Sequence, residues 1–137
     1  MKFTIDRAIW LNASAPYGMG STLLHNKQGN MCCLGFVCEQ LGVPRENLTG
    51  VDTPGLLDLE ELPDSLAESL SLLRQGASTD TELSSSAMDL NDSDDYTPVE
   101  REKLLSQLFR NYGHELEFTG AYPDAEVVSS SYLADVD

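Results

Sequence analysis

Apolar positions alternate with polar ones near both ends of the chain and recur at helical spacing between them. Residues 2–5 alternate and predict a short strand. Asp6 follows as a candidate N-cap for a short helix carrying Ala8, Ile9, Trp10 and Leu11, with Trp10 as a core residue. Residues 13–21, with Pro16, Gly18 and Gly20, predict a loop. Residues 22–25 predict a second strand, and Asn26–Asn30 a turn into a hairpin reaching Met31. The most apolar run spans Met31 to Leu41, and it predicts a buried helix over 32–41 with Gly42 just past its end and Pro44 beyond. Gly35 inside that helix costs about 1 kcal/mol relative to Ala, which marks close approach of another backbone.

Residues 43–62 read as an irregular connection with a helical turn near Glu46–Leu48. Leu66, Leu70 and Leu73 give helical spacing to residues 64–74, and Gln75–Asp80 breaks it. A further helix is predicted over 81–90 from Leu83, Ala87, Met88 and Leu90. Thr97, Pro98 and Glu100 form a capping-box pattern that opens a helix with Val99, Leu104, Leu105, Leu108 and Phe109 as its apolar face and Gly113 as its stop. Residues 114–119 alternate again and predict a strand with Leu116 and Phe118 inward. Strands at both ends and helices between them predict an α+β fold: a small mixed domain with a few-stranded antiparallel sheet packed by four to five helices. Residues 1–120 form the single predicted domain, and 121–137 an acidic C-terminal tail or edge segment.

Charge changes the functional picture. Eight Lys and Arg stand against 23 Asp and Glu, a net charge of −15. Direct binding to nucleic acid or an anionic membrane is therefore disfavoured, whereas a basic protein surface is attracted. Solubility alone is the simpler role for such acidity. Between residues 50 and 95 Arg74 is the sole cation, against Asp58, Glu60, Glu61, Asp64, Glu68, Asp80, Glu82, Asp89, Asp92, Asp94 and Asp95. Set in rows on helices, these carboxylates would imitate the phosphates of a duplex, and Asp89, Asp92, Asp94 and Asp95 are the candidate binding residues. The run from Asp89 also partly matches a calcium loop, with Asp89, Asn91, Ser93, Asp95 and Glu100 at spaced positions. Asp94 stands where that loop needs glycine, so helix capping is the better account, and neither metal nor cofactor is expected.

Three cysteines, Cys32, Cys33 and Cys38, crowd the apolar run. An odd number without a secretion signal or membrane-spanning stretch points to reduced thiols in the cytoplasm. Buried free Cys is the ordinary case. A thiol at a helix start can also be a nucleophile. Cys33, Gly35, Phe36 and Val37, then Gly42, Pro44 and Arg45, resemble the nucleophile helix of papain-like peptidoglycan endopeptidases. That resemblance implies Cys33 as nucleophile and His114, the only later histidine, as its base. Cys32 stands where that family has Asp, and Leu34 where it has Ser.

A second resemblance covers about residues 3–118. Its residues are Thr4-Ile5-Asp6-Arg7 with Trp10, Thr22-Leu23-Leu24, Gly29 to Phe36 with its Met-Cys-Cys-Leu-Gly block, Leu90-Asn91-Asp92, Glu100-Arg101-Glu102, Gln107-Leu108-Phe109, Gly113 and Glu115 to Phe118. The chain there resembles small bacteriophage and prophage proteins of no assigned activity. The resemblance implies a phage origin and a host-cytoplasm setting. The leading expectation is a non-enzymatic accessory protein that inhibits a host defence factor through its acidic surface. One alternative sequesters a small nucleotide signal, if cations among Arg7, Lys27, Arg45, Arg74, Arg101, Lys103 and Arg110 converge on a pocket. The other alternative is the Cys33 hydrolase. Leu-rich helices at 64–74 and 98–112 leave a second copy of the chain open as a partner.

Overall fold

The computed structural model describes residues 1–12, 24–26, 29–75, 79–93 and 95–121. The expected loop at 13–21, the start of the strand at 22–25, Asp94 and the tail after Ala121 lie outside these residues. The fold is α+β. Strand β1 is Lys2–Asp6, and β4, Glu115–Thr119, ends the described chain beside it. The two pair in parallel, Phe3 opposite Leu116 and Ile5 opposite Phe118. This differs from the expected antiparallel sheet. Nearly the whole chain separates β1 from β4, and the helices between them provide the crossover that parallel pairing needs. The antiparallel pair is a two-residue hairpin, β2 (Arg74–Gln75) with β3 (Thr79–Asp80), in the region predicted only as a break.

Helix α1, Cys33–Leu41, packs on β1, and α5, Pro98–Asn111, packs on β4; α4, Glu82–Asp92, touches both helices. Seven of the nine α1 residues are buried, as the apolar run predicts. Gly42 closes it in the left-handed conformation, φ 119°. A Cβ on Gly35 would lie 1.9 Å from the carbonyl oxygen of Leu24, so here a backbone does pass against the helix. Gln40 turns back from the same helix to the outer edge of β1. Its amide accepts from Thr4 N at 2.8 Å and donates to Thr4 O at 2.6 Å, pairing as a neighbouring strand would and blocking that edge.

Asp6 starts a turn rather than a helix. Its carboxylate accepts from Ala8 N at 2.9 Å and its carbonyl from Ile9 N at 3.1 Å, after which Trp10 bridges in parallel to Met31. Met31 thus pairs with Trp10 and not across the expected hairpin; of the expected turn at 26–30, residues 27 and 28 lie outside the described residues, and Asn26 N donates to Asn30 O at 2.8 Å. The connection contains α2, Arg45–Leu48, and two 3₁₀ turns, Pro54–Leu56 and Leu59–Glu61. The predicted helix at 64–74 is shorter: α3, Ser65–Ser69, tightens into a 3₁₀ turn at Leu70–Leu72 that buries Leu70 and leads to buried Leu73. The core gathers Phe3, Ile5, Trp10, Leu34, Val37, Leu48, Leu70, Leu105 and Phe109, with Phe3 edge-on to Phe109 at 6.2 Å. No helix of the described residues is long and apolar enough to cross a membrane.

Candidate functional site

The thiol cluster begins where α1 does. Cys32 is the N-cap and Cys33 the first helical residue, and both are buried with Cys38 as free thiols. Cys33 N donates to Asn91 Oδ1 at 3.1 Å, and its Sγ–H points to the Ala87 carbonyl oxygen at 3.8 Å. Burial pushes all three thiols up, Cys32 to about 12; the neighbouring Cys32 and Asp92 add to this at Cys33. A helix start lowers a thiol pKa when the thiol meets solvent or a cation, and Cys33 meets neither.

His114 stands elsewhere, just ahead of β4. Its Nδ1 lies 3.1 Å from the N-terminal ammonium of Met1, and its ring tilts against Phe3 at 6.0 Å. Partial burial, then the ammonium charge, lowers its pKa. No hydrogen bond joins Cys33 to His114 among the described residues. The arrangement provides a protonated, enclosed sulfur without a base, which is unsuited to attack on a carbonyl.

Asn91 explains how the helix start is held. It lies in α4, fully enclosed, and its Oδ1 accepts from Trp10 Nε1 at 2.8 Å as well as from Cys33 N. Its Nδ2 donates to Leu11 O at 3.0 Å and Asp92 Oδ1 at 2.9 Å. The calcium-loop pattern fails for the same reason: Asp89 and Asn91 are helical, Asn91 faces inward, and Glu100 closes the capping box with Thr97. Asp89, Asp92 and Asp95 are exposed, and among the described residues no group of three or more His, Cys, Asp or Glu side chains is placed to hold a metal.

The arginines divide in a way that composition does not reveal. Arg101 is fully buried in α5; it donates to the carbonyls of Leu90, Asn91 and Tyr96, fastening the α4–α5 connection. Spacing held a sign of this, since Arg101 lies four and eight residues before the buried Leu105 and Phe109, whereas the expected face residues Val99 and Leu104 are exposed. Arg74 is also buried, with Nη1 donating to Pro54 O at 3.1 Å and Leu57 O at 2.9 Å. Neither is free to serve a surface pocket. Arg7 grips Glu102 through two hydrogen bonds, Arg45 pairs with Glu39, and Lys2 lies 3.2 Å from Glu117.

Asp52, Asp58, Glu60, Glu61, Asp64, Glu68, Glu82, Asp89 and Asp95 are all exposed. No Lys or Arg is in ion-pair contact with any of them among the described residues. The one cation of this stretch, Arg74, is turned inward. The segment holding the 3₁₀ turns, α3 and α4 thus carries a series of exposed carboxylates.

Compared with known proteins, the chain matches no family model, no curated protein and no solved structure.

Proposed function

We propose that this is a non-catalytic phage accessory protein, acting in the host cytoplasm, whose acidic surface occupies the basic, nucleic-acid-binding surface of a host defence protein. The observation that carries this reading is that exposed Asp52, Asp58, Glu60, Glu61, Asp64, Glu68, Glu82, Asp89 and Asp95 have no Lys or Arg in ion-pair contact among the described residues, while Arg74 is buried. Such a surface repels phosphates and attracts a partner rich in Lys and Arg. The enclosed Cys33 weighs against the hydrolase alternative.

The reading is tested by capturing partners from host lysate with the tagged chain and washing at rising salt. A basic protein held at low salt, released as the charges are screened, and displaced by duplex DNA is the expected result. A captured protein that stays bound at high salt and ignores DNA would sink the electrostatic reading.

A further inference from the structure

Among the described residues, α5 carries two exposed cations outside the ion pairs, Lys103 and Arg110. Lys103, Ser106, Gln107 and Arg110 are spaced three, four and seven residues apart, so helical geometry sets them along one stripe. With Glu102 and Phe118 of β4 they line an open groove of about 420 Å³, within the roughly 300–1,000 Å³ of small-molecule sites.

Its charge balance is unusual for this chain. Lys2, Arg7 and Arg45 are in ion pairs, and Arg74 and Arg101 are buried against carbonyls. Lys103 and Arg110 have no carboxylate in ion-pair contact among the described residues. Glu102, the carboxylate of the groove, is taken by the Arg7 fork at 2.7 and 2.8 Å. The groove therefore keeps two cations that no carboxylate contacts as an ion pair among the described residues, Lys103 lying in the field of Glu100, within a net charge of −15. Arg110 is steadied by Gln107, whose Oε1 accepts from its Nη1 at 3.3 Å while Gln107 Nε2 donates to Asn111 Oδ1 at 2.9 Å. Phe118 is half-buried and braced by Trp10, ring centroids 5.0 Å apart.

We propose that this groove binds a small phosphate-bearing ligand with a planar ring, in chemical class a mononucleotide. Seven residues of helix separate the Cα atoms of Lys103 and Arg110 by about 10 Å, a gap that two long side chains close around a phosphate. The guanidinium supplies a planar fork and the ammonium a point charge. The Ser106 hydroxyl and the Gln107 amide add neutral polar groups, and the Phe118 ring offers a flat apolar surface for a base. The site uses none of the carboxylates of residues 52–95, so it stands or falls separately from the acidic-surface reading.

Amide NMR of the full chain, titrated with 5′-AMP, adenosine or inorganic phosphate, tests it. AMP should shift the amides of residues 103–110 and Phe118 saturably, phosphate should shift the α5 residues more weakly, and adenosine should bind least. The double variant Lys103→Gln/Arg110→Gln should weaken AMP by about tenfold or more, with an unchanged melting temperature because both side chains are exposed. Absence of saturable shifts along α5, or equal affinity of the double variant, overturns the site. Adenosine binding as well as AMP overturns the role given to the two cations, and phosphate binding as well as AMP overturns the role given to Phe118.

Discussion

The Asn91 side chain serves Trp10, Cys33, Leu11 and Asp92 at once, joining the N-terminal turn, α1 and α4 through four hydrogen bonds. Asn91→Leu leaves the indole N–H, the Cys33 N–H and the Leu11 carbonyl buried without that partner, and should cost roughly 3 kcal/mol in urea unfolding. A loss below about 1 kcal/mol would mean that water or a rearranged neighbour replaces the amide. Cys33 makes a sharper functional test. Enclosed and with a raised pKa, it should resist a thiol-directed electrophile in the folded protein and react once denaturant opens the core. Rapid labelling of the native state would restore the nucleophile reading. His114 carries a pH dependence of definite sign. Its folded pKa lies below the usual 6.5, so the folded state binds fewer protons than the unfolded chain. Its contribution is present above the unfolded value and is lost as pH falls through the folded one. His114→Gln should flatten that part of the stability profile between about pH 7.5 and pH 5.5, and an unaltered slope would show that other groups set it. At this scale Gly35 was legible, because an interior helix glycine signals a close neighbour. Asn91 and Arg101 were not, because a polar side chain reads as solvated until its buried partners are known.

Elements whose signals are local follow the sequence closely. The capping box of α5, the Thr81 cap of α4 and the Gly42 end of α1 depend on residues a few positions apart, and their starts and stops fall within two residues of expectation. Elements decided by distant partners do not. The parallel pairing of β1 with β4, the bridge from Trp10 to Met31 and the Gln40 amide on the edge of β1 join segments that no local pattern connects. Asp6 also shows a local competition. An aspartate can cap a helix or close a turn on its own backbone, and the pairing of Trp10 with Met31 selects the turn. The seating of α1 on the Leu24 backbone is the most exacting of these contacts. Gly35→Ala would set a methyl 1.9 Å from a carbonyl oxygen, and should destabilise by about 3 kcal/mol in chemical denaturation. A neutral effect would show that residues 24–26 shift aside at little cost.

For the molecule as a whole, net charge was legible at once and its distribution was not. Composition counts eight cations, yet Arg74 and Arg101 are spent on buried carbonyls and Lys2, Arg7 and Arg45 on carboxylates. Among the described residues, which leave out Lys27, what faces solvent is thus more one-sided than the sequence suggests, with Lys103 and Arg110 as a local exception beside β4. The acidic candidates Asp89, Asp92 and Asp95 prove exposed, and with exposed Asp52, Asp58, Glu60, Glu61, Asp64, Glu68 and Glu82 they supply the acidic surface of the proposal. The central claim is that this surface binds a basic partner by charge. Its most direct test is the quadruple carboxamide variant Asp58→Asn/Glu60→Gln/Glu61→Gln/Asp64→Asn, compared with the unaltered chain for capture of the salt-released host protein. All four side chains are exposed and free of ion pairs among the described residues, so the fold should persist and the melting temperature should hold or rise as self-repulsion falls. Capture weakened tenfold or more, at about 1.4 kcal/mol per tenfold, with slower association and a shallower salt dependence, is the predicted result. Equal capture by the two folded proteins at every salt concentration would contradict the account.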